Sequence, residues 1–136
     1  MTDADLVQKR LALIETYLAE LATLARPERM AEDVREERFV EHTLQLAIQA
    51  AIDVASHLVS DQRLGEPATN QELFALLARR GLLEGELARR LERAAAFRNL
   101  LVHGYASIDL ELVRDVVEHH PSDLSAFVAA VRAQGA

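Results

Sequence analysis

Residues 44–59 read LQLAIQAAIDVASHLV. The run has no glycine or proline, and its apolar side chains fall on almost every side of a helix with 3.6 residues per turn. A helix that is apolar nearly all round has to be covered by other elements, so this stretch predicts the central helix of a helical protein. Its polar residues are ordered too. Gln45, Gln49, Asp53 and His57 stand at steps of four behind Glu41, a row that drifts slowly around the axis because the helical period is shorter than four. Two readings fit that row: a solvated edge with an i,i+4 Asp53/His57 pair, or a groove facing a partner or a site.

Working outward, residues 32–38 (EDVREER) are solvated, so the long helix is expected from about Met30 to Ser60. Ahead of it a first helix is predicted from Thr2, which with Asp5 resembles a capping box, through Leu6, Leu13, Tyr17, Leu21 and Leu24. It should stop near Arg26, because Pro27 disfavours helix in the residue before it. Gln62 to Ala68, with Gly65 and Pro67, reads as a loop. Thr69 and Glu72 then form a capping box for a short helix closed by Gly81. A fourth helix is expected from about Glu84 to His103, with Gly104 able to take the positive φ of a C-cap. Ser107 with Asp109 can cap a fifth through Val113, Val116 and Val117, and Pro121 separates it from a last short helix ending near Arg132. The expected architecture is all-α: a single domain over residues 1–136, an up-and-down antiparallel bundle of four main helices plus a short C-terminal helix.

Composition agrees. The chain has 136 residues, half of them hydrophobic, with only five glycines and three prolines, which suits one helical domain. Cysteine is absent, so disulfide frameworks, thiolate nucleophiles and Cys-based zinc sites are excluded. No apolar run reaches the roughly 20 residues of a membrane helix, and the acidic start at Asp3 and Asp5 is unlike a secretory leader. A cytoplasmic protein with no membrane partner is expected. The net charge of −7 argues against indiscriminate coating of nucleic acid, and DNA is not an expected partner.

The fourth helix carries the chemistry. At 100° per residue from Leu91, Leu87 falls at about −40°, Ala95 at about +40° and Arg98 at about −20°, in the middle of the apolar stripe. An arginine cannot shed its proton and is rarely buried alone. Either an acidic side chain from another helix meets it, Asp53 being a natural candidate, or the stripe opens there onto a cleft. Asn99 and His103 stand at i,i+4, close enough for the amide to orient the ring, and His103 sits at a helix C-terminus, where carbonyls favour its cationic form. A fixed cation, an orienting amide and a proton donor or acceptor would suit phosphodiester cleavage. Arg98 and His103 are nevertheless about 140° apart on an ideal helix. They converge if the helix tightens or ends near Val102, or if both line a wide groove.

Residues 98–105 (RNLLVHGY) resemble the Arg-x4-His-x-Tyr motif of the HepT-like ribonuclease toxins, a branch of the HEPN superfamily. Residues 37–39 and 44–57 resemble that family's second helix, and Gly65-x-Pro67 its next loop, so the likeness covers approximately Glu36 to Val113. The resemblance implies a homodimer with Arg98 and His103 of each subunit lining a cleft. It implies metal-independent RNA cleavage, on tRNA or mRNA, with no cofactor. His103 would act as general acid or base, Arg98 would neutralise the phosphate in the transition state, and Asn99 would support them. It further implies a partner antitoxin, a nucleotidyltransferase of the MNT type that transfers AMP to the motif tyrosine, Tyr105. Gln49 and Asp53 match polar positions of the family but carry no role over. The small residues Gly104 and Ala106 depart from many relatives, which have larger or acidic residues there. An alternative is a non-catalytic helical subunit that binds substrate or partner for a two-component nucleotidyltransferase; a third is a plain dimerisation module with Arg98 paired in its core.

The acidic total is unevenly spread. Between Arg79 and Arg98 six arginines face three glutamates, a local +3, whereas residues 106–136 hold two arginines and five acids. A solvated face and an RNA-backbone track both fit that basic island. Asp115 and His119 stand at i,i+4, but no third ligand at helical spacing accompanies them, so a capping or surface role is expected rather than a metal.

Overall fold

The computed structural model describes residues 4–103 and 108–134. Among these there are six α-helices and no strand: α1 (Ala4–Leu24), α2 (Val34–Asp61), α3 (Asn70–Arg79), α4 (Gly85–His103), α5 (Leu110–His119) and α6 (Pro121–Ala133). The start of the long helix differs from its expected place near Met30. Pro27–Arg29 form a 3-10 turn, and Asp33, in an extended conformation, accepts the Arg35 backbone N–H at 2.9 Å. That short carboxylate satisfies an N-terminal donor from outside the helix, so α2 begins at Val34.

Other ends follow sequence chemistry closely. Thr69 Oγ1 accepts the Glu72 N–H at 3.3 Å while Glu72 Oε2 accepts the Ala68 N–H at 2.7 Å, a reciprocal cap at the start of α3. Gly81, at φ +85°, closes that helix. Asp109 caps α5 by accepting the Glu111 N–H at 2.9 Å. Arg63 ends α2 without a glycine. It takes φ +53°, and the next N–H, of Leu64, reaches back to the Val59 carbonyl at 3.0 Å, a Schellman closure. The expected caps at Thr2, Gly104 and Ser107 lie outside the described residues.

α2 is central. It packs against α1, α3, α4, α5 and α6, and Leu44, Ala47, Ile48, Ala51, Ile52, Val54, Ala55 and Leu58 are all buried. Arg26 N–H donates to Glu36 at one end of the α1/α2 pair, and Arg10 meets Asp53 towards the other, so the two helices run antiparallel. The opposite side of the core is closed by Phe74 of α3 and Phe127 of α6, whose rings meet edge to face at 5.8 Å and 82°. α4 is tied to α6 by Arg90 Nε, which donates to Asp123 at 2.8 Å. α6 is tied to α1 by a forked pair from Arg132 to Glu15 at 2.8 and 2.9 Å.

Candidate functional site

Arg98 lies where the positional count puts it, half-buried on the core-facing side of α4 between buried Ala95 and Leu101. Asp53 does not meet it. The Asp53 carboxylate instead accepts from Gln49 Nε2 at 2.9 Å and lies 3.9 Å from Arg10 Nη1, so Asp53 faces α1. Among the described residues Arg98 forms no ion pair. Its Nη1 donates to Asn99 Oδ1 at a long 3.4 Å, and its Nε is buried with no partner. A guanidinium held this way carries a charge that no carboxylate offsets among the described residues.

Asn99 thus contacts the arginine rather than His103. The imidazole of His103 is exposed at the last described turn of α4. α4 stays α-helical through His103, so it neither tightens nor ends before Val102. Within one chain the two side chains therefore leave the helix about 140° apart. Tyr105 and Gly104 lie outside the described residues.

The basic island is partly neutralised. Arg89 pairs with Glu86 at 2.6 Å, and Arg90 with both Glu86 and Asp123. Arg79, Arg80 and Arg93 are exposed, and they keep the positive face. Asp115 and His119 are both exposed, as a surface role requires, and it is His120 that bridges: Nε2 lies 3.3 Å from Asp115 and Nδ1 3.4 Å from Asp123, which ties α5 to α6. No three His, Asp or Glu side chains cluster as metal ligands among the described residues, and no helix there is long and apolar enough to cross a membrane.

One titratable residue escaped the reading by pattern. Glu41 begins the polar row on α2 but is only 7% exposed, with Oε2 buried and unpartnered. Burial, and then the charge and hydrogen bonding of Glu37 one turn earlier, push its carboxyl up to about 7, against a smaller opposing pull from Arg38. Its signal in the sequence is the i,i+4 Glu37/Glu41 spacing where solvated helix passes into apolar helix. The folded state therefore binds this proton more tightly than the unfolded chain. Stability is undiminished below the ordinary carboxylate pKa, falls as pH rises from about 4.5 to 7, and stays reduced above that. Glu41→Gln is expected to remove that decline and to gain roughly 1–3 kcal/mol at pH 8. Urea midpoints at pH 5 and pH 8 check it; a variant whose midpoint falls as steeply as that of the wild type contradicts it.

Fold and motif helix together define a small all-helical protein of the HEPN toxin class, with a half-buried arginine and a terminal histidine on one helix. The comparisons make the assignment definite: the chain belongs to the HepT-like ribonuclease family, whose model, described as "Ribonuclease HepT-like", matches residues 9–131. It is 35% identical over 91 residues to the mRNA nuclease HepT of Shewanella oneidensis, covering 67% of this chain and 68% of that protein. It is 35% identical over 109 residues to the tRNA nuclease HepT of Aphanizomenon flos-aquae, covering 76% and 72%. Among solved structures it superposes on a tri-AMPylated Shewanella oneidensis HEPN toxin in complex with MNT antitoxin. The TM-score is 0.87 at 28% identity, over 98% of this chain and 99% of that one.

Proposed function

We propose that this chain is the toxin of a HEPN/MNT-type toxin–antitoxin pair, a metal-independent RNA endonuclease that works in the cytoplasm as a homodimer. The observation that carries this reading is Arg98: a half-buried guanidinium with an unpartnered Nε and, among the described residues, no carboxylate to neutralise it. A core arginine serving only the fold would be paired. That weakens the alternative of a dimerisation module, and the presence of Arg98, His103 and Tyr105 together weakens that of a non-catalytic binding subunit, which has no need of all three.

Homodimerisation answers the angular problem. Arg98 and His103 diverge on one helix, but a second copy can bring its own pair to the other wall of a shared cleft. In that cleft the ribose 2′-oxygen attacks the adjacent phosphorus. The new O2′–P bond forms, the P–O5′ bond breaks, and a 2′,3′-cyclic phosphate and a 5′-hydroxyl result. His103, neutral, takes the 2′-hydroxyl proton, or, protonated, gives one to the leaving 5′-oxygen. Arg98 faces the equatorial phosphate oxygens, whose negative charge grows in the transition state, with Asn99 Oδ1 holding its outer nitrogen. The relatives' names point to tRNA or mRNA as substrate. The exposed Arg79, Arg80 and Arg93 suit a phosphate backbone.

Restraint comes from the antitoxin. The AMPylated state of the Shewanella neighbour supports transfer of AMP to Tyr105, two residues past His103. Adenylate there adds negative charge and bulk to the motif that carries the cation and the imidazole. Incubation with a cognate MNT-type transferase and ATP is expected to add adenylate mass to the wild type and none to Tyr105→Phe. Equal labelling of both by intact-mass analysis refutes the assignment.

A further inference from the structure

Arg89, Arg93, Ala96, Leu100 and His103 follow one another along α4 at steps of four, three, four and three. At 100° per residue they fall within an arc of about 80°, so they form one stripe on a helix that is regular throughout this span. Arg89, Arg93, Leu100 and His103 are exposed and Ala96 is half-buried. Leu100 is one of the few large apolar side chains left in water, at 50% exposure. Arg89 meets Glu86 at 2.6 Å, an exposed pair of the kind that contributes little. Arg90, off the stripe, is held by Glu86 and Asp123. Arg93 forms no ion pair among the described residues, and Glu92, half-buried at the edge of the stripe, pairs with neither arginine. The stripe thus carries an uncommitted guanidinium towards one end, an apolar side chain in water near the other, and the motif histidine at its tip.

We infer that this stripe is the track along which single-stranded RNA leaves the cut, with a base beside the cleaved bond packed on Leu100 and a more distant phosphate held by Arg93. This rests on the proposal that His103 acts on RNA, and it adds where the substrate lies and which residues hold it away from the reacting bond. Leu100 is three residues from His103, ~4.5 Å along the axis, and Arg93 is ten residues away, ~15 Å. A nucleotide next to the reacting one therefore reaches Leu100, and the chain must run further before a phosphate meets Arg93. A guanidinium fork matches phosphate oxygens. Ala96, small and between the two, leaves room for the chain to lie close to the helix. The substrate has to be unpaired here, because a base inside a duplex keeps its faces stacked and offers none to Leu100. A protein partner fits less well: interface centres are apolar and depleted of charge, whereas two of these five side chains are guanidinium groups and only Leu100 is large and apolar.

The test uses the full chain and a labelled single-stranded RNA of about 12 nucleotides that the wild type cleaves. Arg93→Ala is expected to raise KM by about 10-fold, the loss of one charge-assisted contact. In the non-cleaving His103→Ala background, Arg93→Ala should also make the log–log fall of affinity with salt shallower by about 0.7, one phosphate of a single strand. Arg93→Lys should keep that slope. Leu100→Ser should raise KM by about 3-fold with the slope unchanged, since it removes apolar contact and no charge. All variants should sediment as the wild type does. Wild-type KM and slope in both Arg93→Ala and Leu100→Ser overturn the inference. So does a loss confined to kcat, or a homodimer that falls apart, which would make the stripe a contact between copies of the chain. Failure of the underlying reading looks different: the wild type then neither binds nor cuts RNA.

Discussion

Phe127→Ala is expected to lower the free energy of unfolding by about 3–5 kcal/mol, the largest loss from any single truncation in this core. Phe127 is fully buried on α6 and meets Phe74 of α3 edge to face at 5.8 Å. Removing the ring leaves a void that α6 cannot close by sliding, because Arg132 fastens that helix to Glu15 of α1 and Asp123 fastens it to Arg90 of α4. The edge-to-face contact adds to the area term. Domains of this size hold only about 5–15 kcal/mol in all, so the variant is expected to be partly unfolded at 37 °C. Phe127→Leu, which fills most of the space, should lose less than half as much. Urea denaturation gives both numbers; a cost for Phe127→Ala below about 1 kcal/mol would mean that the α3/α6 side is not core.

Arg98→Ala is expected to reduce RNA cleavage by about 10²–10³-fold, the usual effect of removing one preorganised donor from a developing oxyanion. Stability should scarcely change. The guanidinium Nε is buried without a partner, so deletion removes an unpaired polar group together with its packing, and alanine suits a helix interior. Arg98→Lys should restore little activity, since an ammonium cannot replace the planar fork that faces two phosphate oxygens. Single-turnover cleavage and urea midpoints measured side by side separate the two effects. A variant that loses activity only in step with stability would place Arg98 in the fold rather than in the reaction.

Much of this was readable from local chemistry. α2 was legible because its apolar faces leave no side for solvent, and the cap of α3 because Thr69 and Glu72 satisfy each other's neighbourhood within five residues. The position of Arg98 followed from counting along one helix. What failed was everything that depends on a second element. Asp53 was a reasonable partner for Arg98, but α1 lies closer and its Arg10 takes the carboxylate. The His120 bridge to Asp115 and Asp123 likewise joins two helices and has no signal in either one alone. Glu41 looked like the edge of a solvated row and is enclosed, and no periodicity in one helix shows how far its neighbours wrap. The divergence of Arg98 and His103, by contrast, was legible from their five-residue spacing on one helix, and α4 stays helical through His103.

Cleavage of RNA in EDTA, with analysis of the product ends, tests most directly whether Arg98 and His103 do the chemistry. Wild type should cut without added metal and leave a 2′,3′-cyclic phosphate and a 5′-hydroxyl, while Arg98→Ala and His103→Ala should each lose cleavage with the fold intact. Cleavage abolished by the chelator, or leaving a 5′-phosphate, or persisting equally in both variants, would contradict it.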